Sequence, residues 1–251
     1  MLAFEKVRVS IAGVVVLRDV SFTLAPGSTA ALIGRNGAGK TTTARTAMGF
    51  TAATGTIRLG GADLTRVAPH KRPALGIGYA PEDRRLFSAF SVEENMLLPA
   101  RVAKLEAAET KRRLERAYGL MPELAELRAR PAGSVSGGQG KMVALGRALM
   151  LGTKLVILDE PFQGLAPVLA QRYAEALRRL RSQDRNAVGA VEPTSACRPA
   201  KLAPNPRPCF TLTGAGPLAR EVLMGRRELS YGYGRIISRG ACKPSLAADH
   251  V

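Results

Sequence analysis

The stretch from Gly34 to Thr41 constrains this chain more than any other part of its sequence. It reads GRNGAGKT and matches the pattern G-x-x-x-x-G-K-[ST] at every fixed position. Its glycines permit a turn whose backbone N–H groups point inward, and a helix that follows directs its positive end at the same point. Three apolar runs typical of strands precede the loop, namely Val14–Leu17, Val20–Leu24 and Thr29–Ile33, with turns predicted between them at Arg18-Asp19 and Pro26-Gly27. A helix is predicted over Thr42–Met48. This order of strand, glycine loop and helix predicts an α/β fold that binds the phosphates of a nucleotide.

Each polar position of the phosphate loop has an expected role. Lys40 is expected to reach the β- and γ-phosphates, and the Thr41 hydroxyl is expected to coordinate Mg²⁺. The residues expected to contact the nucleotide are Gly34, Arg35, Asn36, Gly37, Ala38, Gly39, Lys40, Thr41 and Thr42. An ordinary glycine turn that caps a helix is the alternative, which the full match between a strand and a helix disfavours.

Two adjacent acids end a second predicted strand. The run Leu155–Leu158 is wholly apolar and leads into Asp159 and Glu160. Carboxylates beside a core are costly unless they face a charged ligand. We expect Asp159 to hold Mg²⁺, directly or through water, and Glu160 to act as a general base or to orient the attacking water. Solvated acids at a strand end are the alternative, which the phosphate loop upstream disfavours.

A third polar turn precedes another predicted helix. The sequence SVSGGQ begins at Ser134, and a helix is predicted over Lys141–Leu149. Ser136, Gly137 and Gly138 offer a hydroxyl and backbone N–H groups at the positive end of that helix. The turn therefore predicts a second anion site, although by itself it is equally typical of an ordinary helix cap.

Together, the three motifs resemble those of the ABC ATPases. The resemblance runs from Leu2 to about Arg181 and is strongest to the subgroup that energises importers of branched-chain amino acids, small amides and urea. Further segments that carry it are YAPEDRRLF from Tyr79, VEEN from Val92, GRALM from Gly146, and DEP followed by GLAP from Gly164.

This resemblance implies a fold class and a domain organisation. The expected fold is α/β: a P-loop NTPase ABC cassette with a parallel sheet core, an N-terminal antiparallel β region and a helical signature subdomain. The cassette is expected over residues 1–184, with the helical subdomain at about 84–149. Within that subdomain, the sequence pattern predicts one helix over Val102–Leu120. Residues 185–251 read as atypical, because four prolines fall within residues 198–208 and the family's last strands and helices have no match here. That region is expected to be irregular or translated out of frame.

The resemblance also implies a function. In ABC ATPases two subunits form a head-to-tail dimer around two ATP molecules, so Ser136, Gly137 and Gly138 would contact the γ-phosphate bound at the partner's phosphate loop. Glu82 would join Glu160 in catalysis and join Thr41 and Asp159 in holding Mg²⁺. Ile11 would take the place of the aromatic residue that stacks on adenine.

The partners implied by the resemblance are membrane permease subunits, a second ABC ATPase subunit that is identical or related, and indirectly a solute-binding protein. No run of about 18–20 apolar residues is present. The chain is therefore expected at the cytoplasmic face of the inner or plasma membrane, attached peripherally through the permease.

Two departures from the family leave alternatives open. The switch position that follows Val191 and Glu192 holds Pro193 in place of histidine or glutamine, and the loop after Glu160 has Phe162 in place of the usual serine. A degenerate subunit that binds ATP but hydrolyses it poorly is therefore one alternative. A soluble ABC ATPase that acts on nucleic acid is another, supported only by the net charge of +17. No nucleic-acid partner is expected, because the basic residues form no long block and the chain has a single phosphate loop.

Overall fold

Two β-sheets and six α-helices make up the part of the chain that the computed structural model describes, namely residues 1–34, 36–183, 187–193, 228–231 and 234–239. Arg35 and much of the region beyond residue 184 lie outside the described residues. The expected α/β class is confirmed, with an antiparallel N-terminal sheet and a largely parallel core sheet. The expected domain boundary at residue 184 stays a prediction.

The N-terminal sheet is wholly antiparallel. Its four strands are β1 (Leu2–Ile11), β2 (Val14–Leu24), β4 (Thr54–Leu59) and β5 (Ala62–Asp63). They lie in the order β2-β1-β4-β5.

The long strand β2 corrects the prediction of two strands, Val14–Leu17 and Val20–Leu24, with a turn between them. The strand is continuous, and Arg18 and Asp19 together oppose the single residue Arg8 of β1. Asp19 has a φ of 51°, which is the left-handed geometry of a bulge. The Arg8 guanidinium donates a hydrogen bond of 2.9 Å to the Asp19 carboxylate across this bulge. The polar pair therefore bends one strand instead of separating two.

The core sheet carries the nucleotide motifs. Its strands are β3 (Thr29–Gly34), β6 (Ile77–Ala80), β7 (Leu155–Asp159), β8 (Ala187–Pro193), β9 (Glu228–Tyr231) and β10 (Gly234–Arg239). Their order in the sheet is β6-β7-β8-β3-β10-β9, in which the first four strands are parallel and β10 is antiparallel to both of its neighbours.

The helices follow the predicted order with two corrections. They are α1 (Lys40–Ala47), α2 (Val92–Val102), α3 (Ala107–Leu120), α4 (Pro122–Glu126), α5 (Gly137–Leu149) and α6 (Pro167–Gln183). A single helix was expected over Val102–Leu120, but α2 ends at Val102 and Lys104 has a φ of 52°, so α3 is a separate helix. The helix expected from Lys141 begins four residues earlier, because Ser136 caps it. Among the described residues, no helix has the length and apolar character of a bilayer span.

Strand β7 joins the two hydrophobic cores of the molecule. Leu155 and Ile157 pack into a cluster between the two sheets and α1, while Val156 and Leu158 pack into a cluster beneath the other helices. All five residues of the strand are buried. A strand that is covered on both faces reads as a continuous apolar run, and its terminal residue Asp159 is held rigidly by that packing.

Close packing of α5 against β6 depends on Gly78. A Cβ atom at this position would lie 2.1 Å from the Ala148 carbonyl oxygen and 3.0 Å from the Cα of Gly152. We expect Gly78→Ala to lower the free energy of unfolding by about 3 kcal/mol, because a backbone atom blocks the new methyl group. Urea unfolding followed by circular dichroism measures the effect.

Gly119→Ala is the matched control for this substitution. A Cβ atom on Gly119 in α3 would meet nothing within 4 Å. Alanine there should raise the free energy of unfolding by up to about 1 kcal/mol, since glycine is a poor helix former. Equal stabilities for the two variants would contradict the proposed packing of α5 on β6.

Candidate functional site

The carboxyl ends of four parallel strands converge at one edge of the core sheet. In register, Gly34 at the end of β3 pairs with Pro193 of β8, and Asp159 at the end of β7 pairs with Val191 of β8. Ala80 ends β6 beside Leu158. Ligands of α/β proteins bind at such an edge, because the loops that follow the strands all open there.

The phosphate loop has the backbone expected of an anion-binding turn. Gly37 and Gly39 have φ values of 80° and 87°, a left-handed conformation that favours glycine. Gly39 is also the residue before α1, and it offers no side chain to cap that helix. The first N–H groups of α1 have no acceptor within the helix and therefore point into the loop. Lys40, at the start of α1, is only 5% exposed.

A hydrogen bond joins the phosphate loop to β7. The Thr41 hydroxyl donates to Oδ1 of Asp159 over 3.1 Å, and the Tyr79 hydroxyl donates to Oδ2 over 3.2 Å. Asp159 is 3% exposed, and this burial raises the pKa of its carboxyl group. The nearby charge of Glu82 raises the pKa further, while the two hydrogen bonds lower it. Burial and the Asp159 charge also raise the pKa of Tyr79, which keeps its hydroxyl protonated as a donor.

Tyr79 is a site residue that the sequence motifs did not reveal. The sequence marked it only as part of a family segment, without a role. Its position on β6 opposite Ile157 of β7 is what brings its hydroxyl to Asp159. In the sequence, Tyr79 is only a tyrosine near the end of a short apolar run. Its role can be inferred only once β6 is known to lie beside β7.

Glu160 has an unusual backbone. Its φ of 48° is left-handed, which is uncommon for a residue with a side chain and occurs at functional turns. Burial raises its pKa, the charges of Glu82 and Asp159 raise it further, and the charges of Lys40 and Lys141 oppose the shift. The Lys141 ammonium donates a hydrogen bond to the Glu160 carbonyl oxygen. A carboxylate whose pKa is raised is better suited to accept a proton.

The oxygen atoms around Asp159 suit a magnesium ion that is bound together with phosphates. Within the described ranges, no group of three or more His, Cys, Asp or Glu side chains is arranged to hold a metal. Mg²⁺ in nucleotide sites commonly uses one or two carboxylates and takes its other ligands from phosphates and water. The Thr41 hydroxyl and the Asp159 carboxylate are hard oxygen donors already in contact. Glu82 is near enough to raise the pKa of both strand-end acids, so the three expected ligands share one region.

The signature turn forms a capping box. The Ser136 hydroxyl accepts the Gln139 N–H over 3.2 Å, and the Gln139 side chain accepts the Ser136 N–H over 2.9 Å. The N–H groups of Gly137 and Gly138 belong to the first turn of α5 and lack acceptors within the helix. Gly137 accepts a hydrogen bond from Arg84 through its carbonyl oxygen. The expected role of this turn toward a partner's nucleotide stays a prediction.

A half-buried arginine, Arg147, fixes the segment that follows Glu82. Arg84 and Arg85 have left-handed φ values of 60° and 45°. The Arg147 guanidinium on α5 donates to both of their carbonyl oxygens, over 2.7 Å to that of Arg85. The sequence motifs did not reveal Arg147, whose only signal is a basic residue within a mostly apolar helix. The contact attaches the Glu82 segment to the helix that carries the signature turn.

Two of the sequence departures have distinct surroundings. Ile11 ends β1 beside Val14 and is 48% exposed, so its expected contact with adenine stays a prediction. Phe162 packs its ring edge-on against buried Tyr173, with centroids 5.6 Å apart. The aromatic ring of Phe162 therefore packs against the hydrophobic cluster beneath the helices, a role that a serine could not fill.

Comparisons with known proteins agree with this geometry. A family model described as ABC transporter matches residues 17–163. The high-affinity branched-chain amino acid transport ATP-binding protein BraG of Pseudomonas aeruginosa is 38% identical over 73% of this chain and 78% of its own length. The lipopolysaccharide export system ATP-binding protein LptB of Acidithiobacillus ferridurans is 35% identical over 67% of this chain and 70% of its own. The ADP conformation of MJ1267, an ATP-binding cassette of an ABC transporter, superposes with a TM-score of 0.63 at 28% identity, covering 76% of this chain and 80% of that one.

Replacing Asp159 with asparagine removes a buried charge and keeps the side-chain shape. Because burial and Glu82 raise the pKa of Asp159, its ionised form costs free energy in the nucleotide-free chain. We expect Asp159→Asn to raise the free energy of unfolding at neutral pH by about 1 kcal/mol, measured by urea unfolding without nucleotide. The gain should shrink as the pH falls toward the ordinary carboxyl pKa of about 3.9, because the raised pKa lets the folded carboxyl take up its proton before the unfolded one does.

Asp63→Asn is the control for this experiment. Asp63 is exposed, and hydrogen bonds from Thr65 lower its pKa, so its replacement should not stabilise the chain. If Asp159→Asn proves less stable than the parent at neutral pH, the electrostatic cost assigned to Asp159 is wrong.

Proposed function

The chain belongs to the ABC transporter family, and we propose that it energises an importer of branched-chain amino acids or of related small amides and urea. As a cassette of that family it is an ATPase coupled to transport. The observation that carries the ATP-hydrolysing part of the proposal is the hydrogen bond between Thr41 of the phosphate loop and Asp159 of β7. It joins the phosphate loop and the acidic end of β7, both of which nucleotide hydrolysis requires, at one edge of the core sheet.

In this proposal the phosphate loop binds ATP through its backbone. The first N–H groups of α1, together with the ammonium of Lys40, stabilise the negative charge of the β- and γ-phosphates. Asn36, Gly37, Ala38, Gly39 and Thr42 complete the loop around the phosphates. The Thr41 hydroxyl and the Asp159 carboxylate would hold Mg²⁺, assisted by Glu82, and the ion when bound neutralises phosphate charge.

Glu160 is proposed to act on the attacking water. Its carboxylate accepts a proton as the water oxygen bonds to the γ-phosphorus and the bond to the β-phosphate oxygen breaks. The raised pKa of Glu160 and its position next to Asp159 support this role. Glu82 is proposed to help orient the same water from the end of β6.

A complete site requires a second subunit. Ser136, Gly137 and Gly138 are proposed to contact the γ-phosphate that is bound at the partner's phosphate loop. The capping box supports this, since it holds the first turn of α5 in the geometry of an anion site. The partner subunit is identical or related, and the segment after Glu82 is proposed to meet the permease at the cytoplasmic face of the membrane.

The proposed solute class rests on the named relatives and on two sequence segments. BraG is named for branched-chain amino acid transport, whereas LptB is named for lipopolysaccharide export. The higher identity to BraG and the segments from Tyr79 and Gly164 support the importer. In that case a solute-binding protein and the permease would select the solute.

Glu160→Gln tests the proposed chemistry. Removing the proton acceptor should lower the turnover number by about 100-fold or more, while ATP binding stays within a few-fold of the parent. Phosphate release and binding of a fluorescent ATP analogue measure the two quantities. Glu106→Gln, an exposed acid before α3, is the control and should leave both unchanged. Turnover that survives in Glu160→Gln would contradict the assignment of Glu160.

A second candidate, binding with poor hydrolysis, is favoured by the residue at the end of β8. Pro193 pairs in register with Gly34 of the phosphate loop, at the strand end where the family has a hydrogen-bonding switch residue. Rapid turnover in the parent chain would exclude this candidate, and ATP binding with little or no turnover would establish it.

Uptake measurements test the solute. Deleting the gene from the organism that carries it should reduce uptake of radiolabelled leucine, isoleucine and valine, or of labelled urea. The parent gene should restore uptake, and the Glu160→Gln gene should not. Normal uptake of all these solutes in the deletion strain would contradict the proposed importer class.

A further inference from the structure

We infer that Lys141 is a positioning residue for ATP hydrolysis, because its ammonium holds the backbone of Glu160 in the conformation that orients the Glu160 carboxylate. The inference rests on the proposed function, in which Glu160 acts on the attacking water. It adds a residue from the signature helix to the machinery of the site in the same chain.

The contact itself is between a side chain and a main-chain carbonyl. Nζ of Lys141, on the second turn of α5, donates to the carbonyl oxygen of Glu160. A hydrogen bond from a charged donor is about twice as strong as one between neutral groups. The N–H of Gln163 also donates to this oxygen, over a longer distance of 3.3 Å. Lys141 is therefore the stronger of the two groups that hold this peptide unit.

The backbone at Glu160 needs such support. A φ of 48° costs a residue with a side chain about 1–2 kcal/mol relative to its ordinary conformations. The next residue is Pro161, and a residue before proline prefers an extended backbone. Both local preferences would move Glu160 out of the observed conformation. The hydrogen bond from Lys141 opposes them by fixing the position of the Glu160 carbonyl.

Lys141 lies on the same helix as the signature turn, so its contact with Glu160 connects that turn to the strand-end acids. Lys141 lies four residues after Gly137, so both lie on the same side of the helix, one turn apart. In the proposed dimer, the first turn of α5 meets the partner's nucleotide, while Lys141 supports Glu160 beside the chain's own nucleotide. One rigid helix thus links the two sites.

The test compares Lys141→Met with Lys141→Arg in the full chain. Methionine keeps the approximate length and removes both the charge and the donor, whereas arginine retains both. We expect Lys141→Met to lower kcat by about 10- to 100-fold, because a small displacement of a catalytic group has effects of that size. The KM for ATP should stay within about two-fold of the parent, since the phosphate loop is untouched. Arginine should restore most of kcat.

A second measurement does not depend on turnover. Amide hydrogen exchange of the segment 158–165 should be faster in Lys141→Met than in the parent and near the parent rate in Lys141→Arg. The N–H of Gln163, which bonds the Glu160 carbonyl, is the reporter. Lys111→Met is the matched control: this lysine is exposed on α3, paired with Glu115, and should alter neither measurement.

The outcomes separate this inference from the proposed function. Unchanged exchange and unchanged kcat in Lys141→Met would overturn the inference and leave the role of Glu160 standing. A parallel loss of kcat and ATP binding would also overturn it, because it would indicate general damage. If Glu160→Gln retains turnover, the proposed role of Glu160 fails. The hydrogen-exchange result still decides whether Lys141 holds the Glu160 backbone.

Discussion

The hydrogen bond between Thr41 and Asp159 is the contact on which the arrangement of the site depends. Thr41 is placed by the turn from β3 into α1, and Asp159 is placed by a strand that is buried on both faces. Neither residue can move far, because the glycine loop determines where α1 starts and because a hydrophobic core packs on each face of β7. Burying a carboxylate at that strand end is unfavourable in the nucleotide-free chain, as its raised pKa indicates. A buried carboxylate with a raised pKa is typical of a functional site, here one that would face a cation and phosphates.

Helix α5 organises the remainder of the site around this contact. Its first turn is the capping box of Ser136, its second turn carries Lys141, and its last turn carries Arg147. Both basic side chains bind carbonyl oxygens of residues with left-handed backbone, in one case Glu160 and in the other the segment after Glu82. Left-handed residues leave the regular hydrogen-bond ladder, so their carbonyl groups need other donors. Lys141 and Arg147 supply these donors, and both side chains extend from α5.

Arginine side chains that donate hydrogen bonds to main-chain carbonyl oxygens account for part of the basic composition. Arg72, which is buried, donates to the carbonyl oxygens of four residues, two of them in the last turn of α1. Arg113 donates to the carbonyl oxygen of Met150 at the end of α5. These guanidinium groups are used inside the protein to close helix ends and loops. A net charge of +17 therefore does not by itself indicate a polyanionic partner.

The sequence by itself determined the site motifs and the fold class, because each motif is a short segment whose chemistry depends on its own residues. A glycine loop after a strand, or an apolar strand that ends in Asp159 and Glu160, has much the same meaning in any fold that contains it. Arg18 and Asp19 were mistaken for a turn because a bulge and a turn share polar residues, and only pairing with β1 distinguishes them. Tyr79, Lys141 and Arg147 became part of the site only in the tertiary structure. Their partners lie on elements distant in sequence, and the strand order β6-β7-β8-β3 that brings those elements together is set by long-range packing.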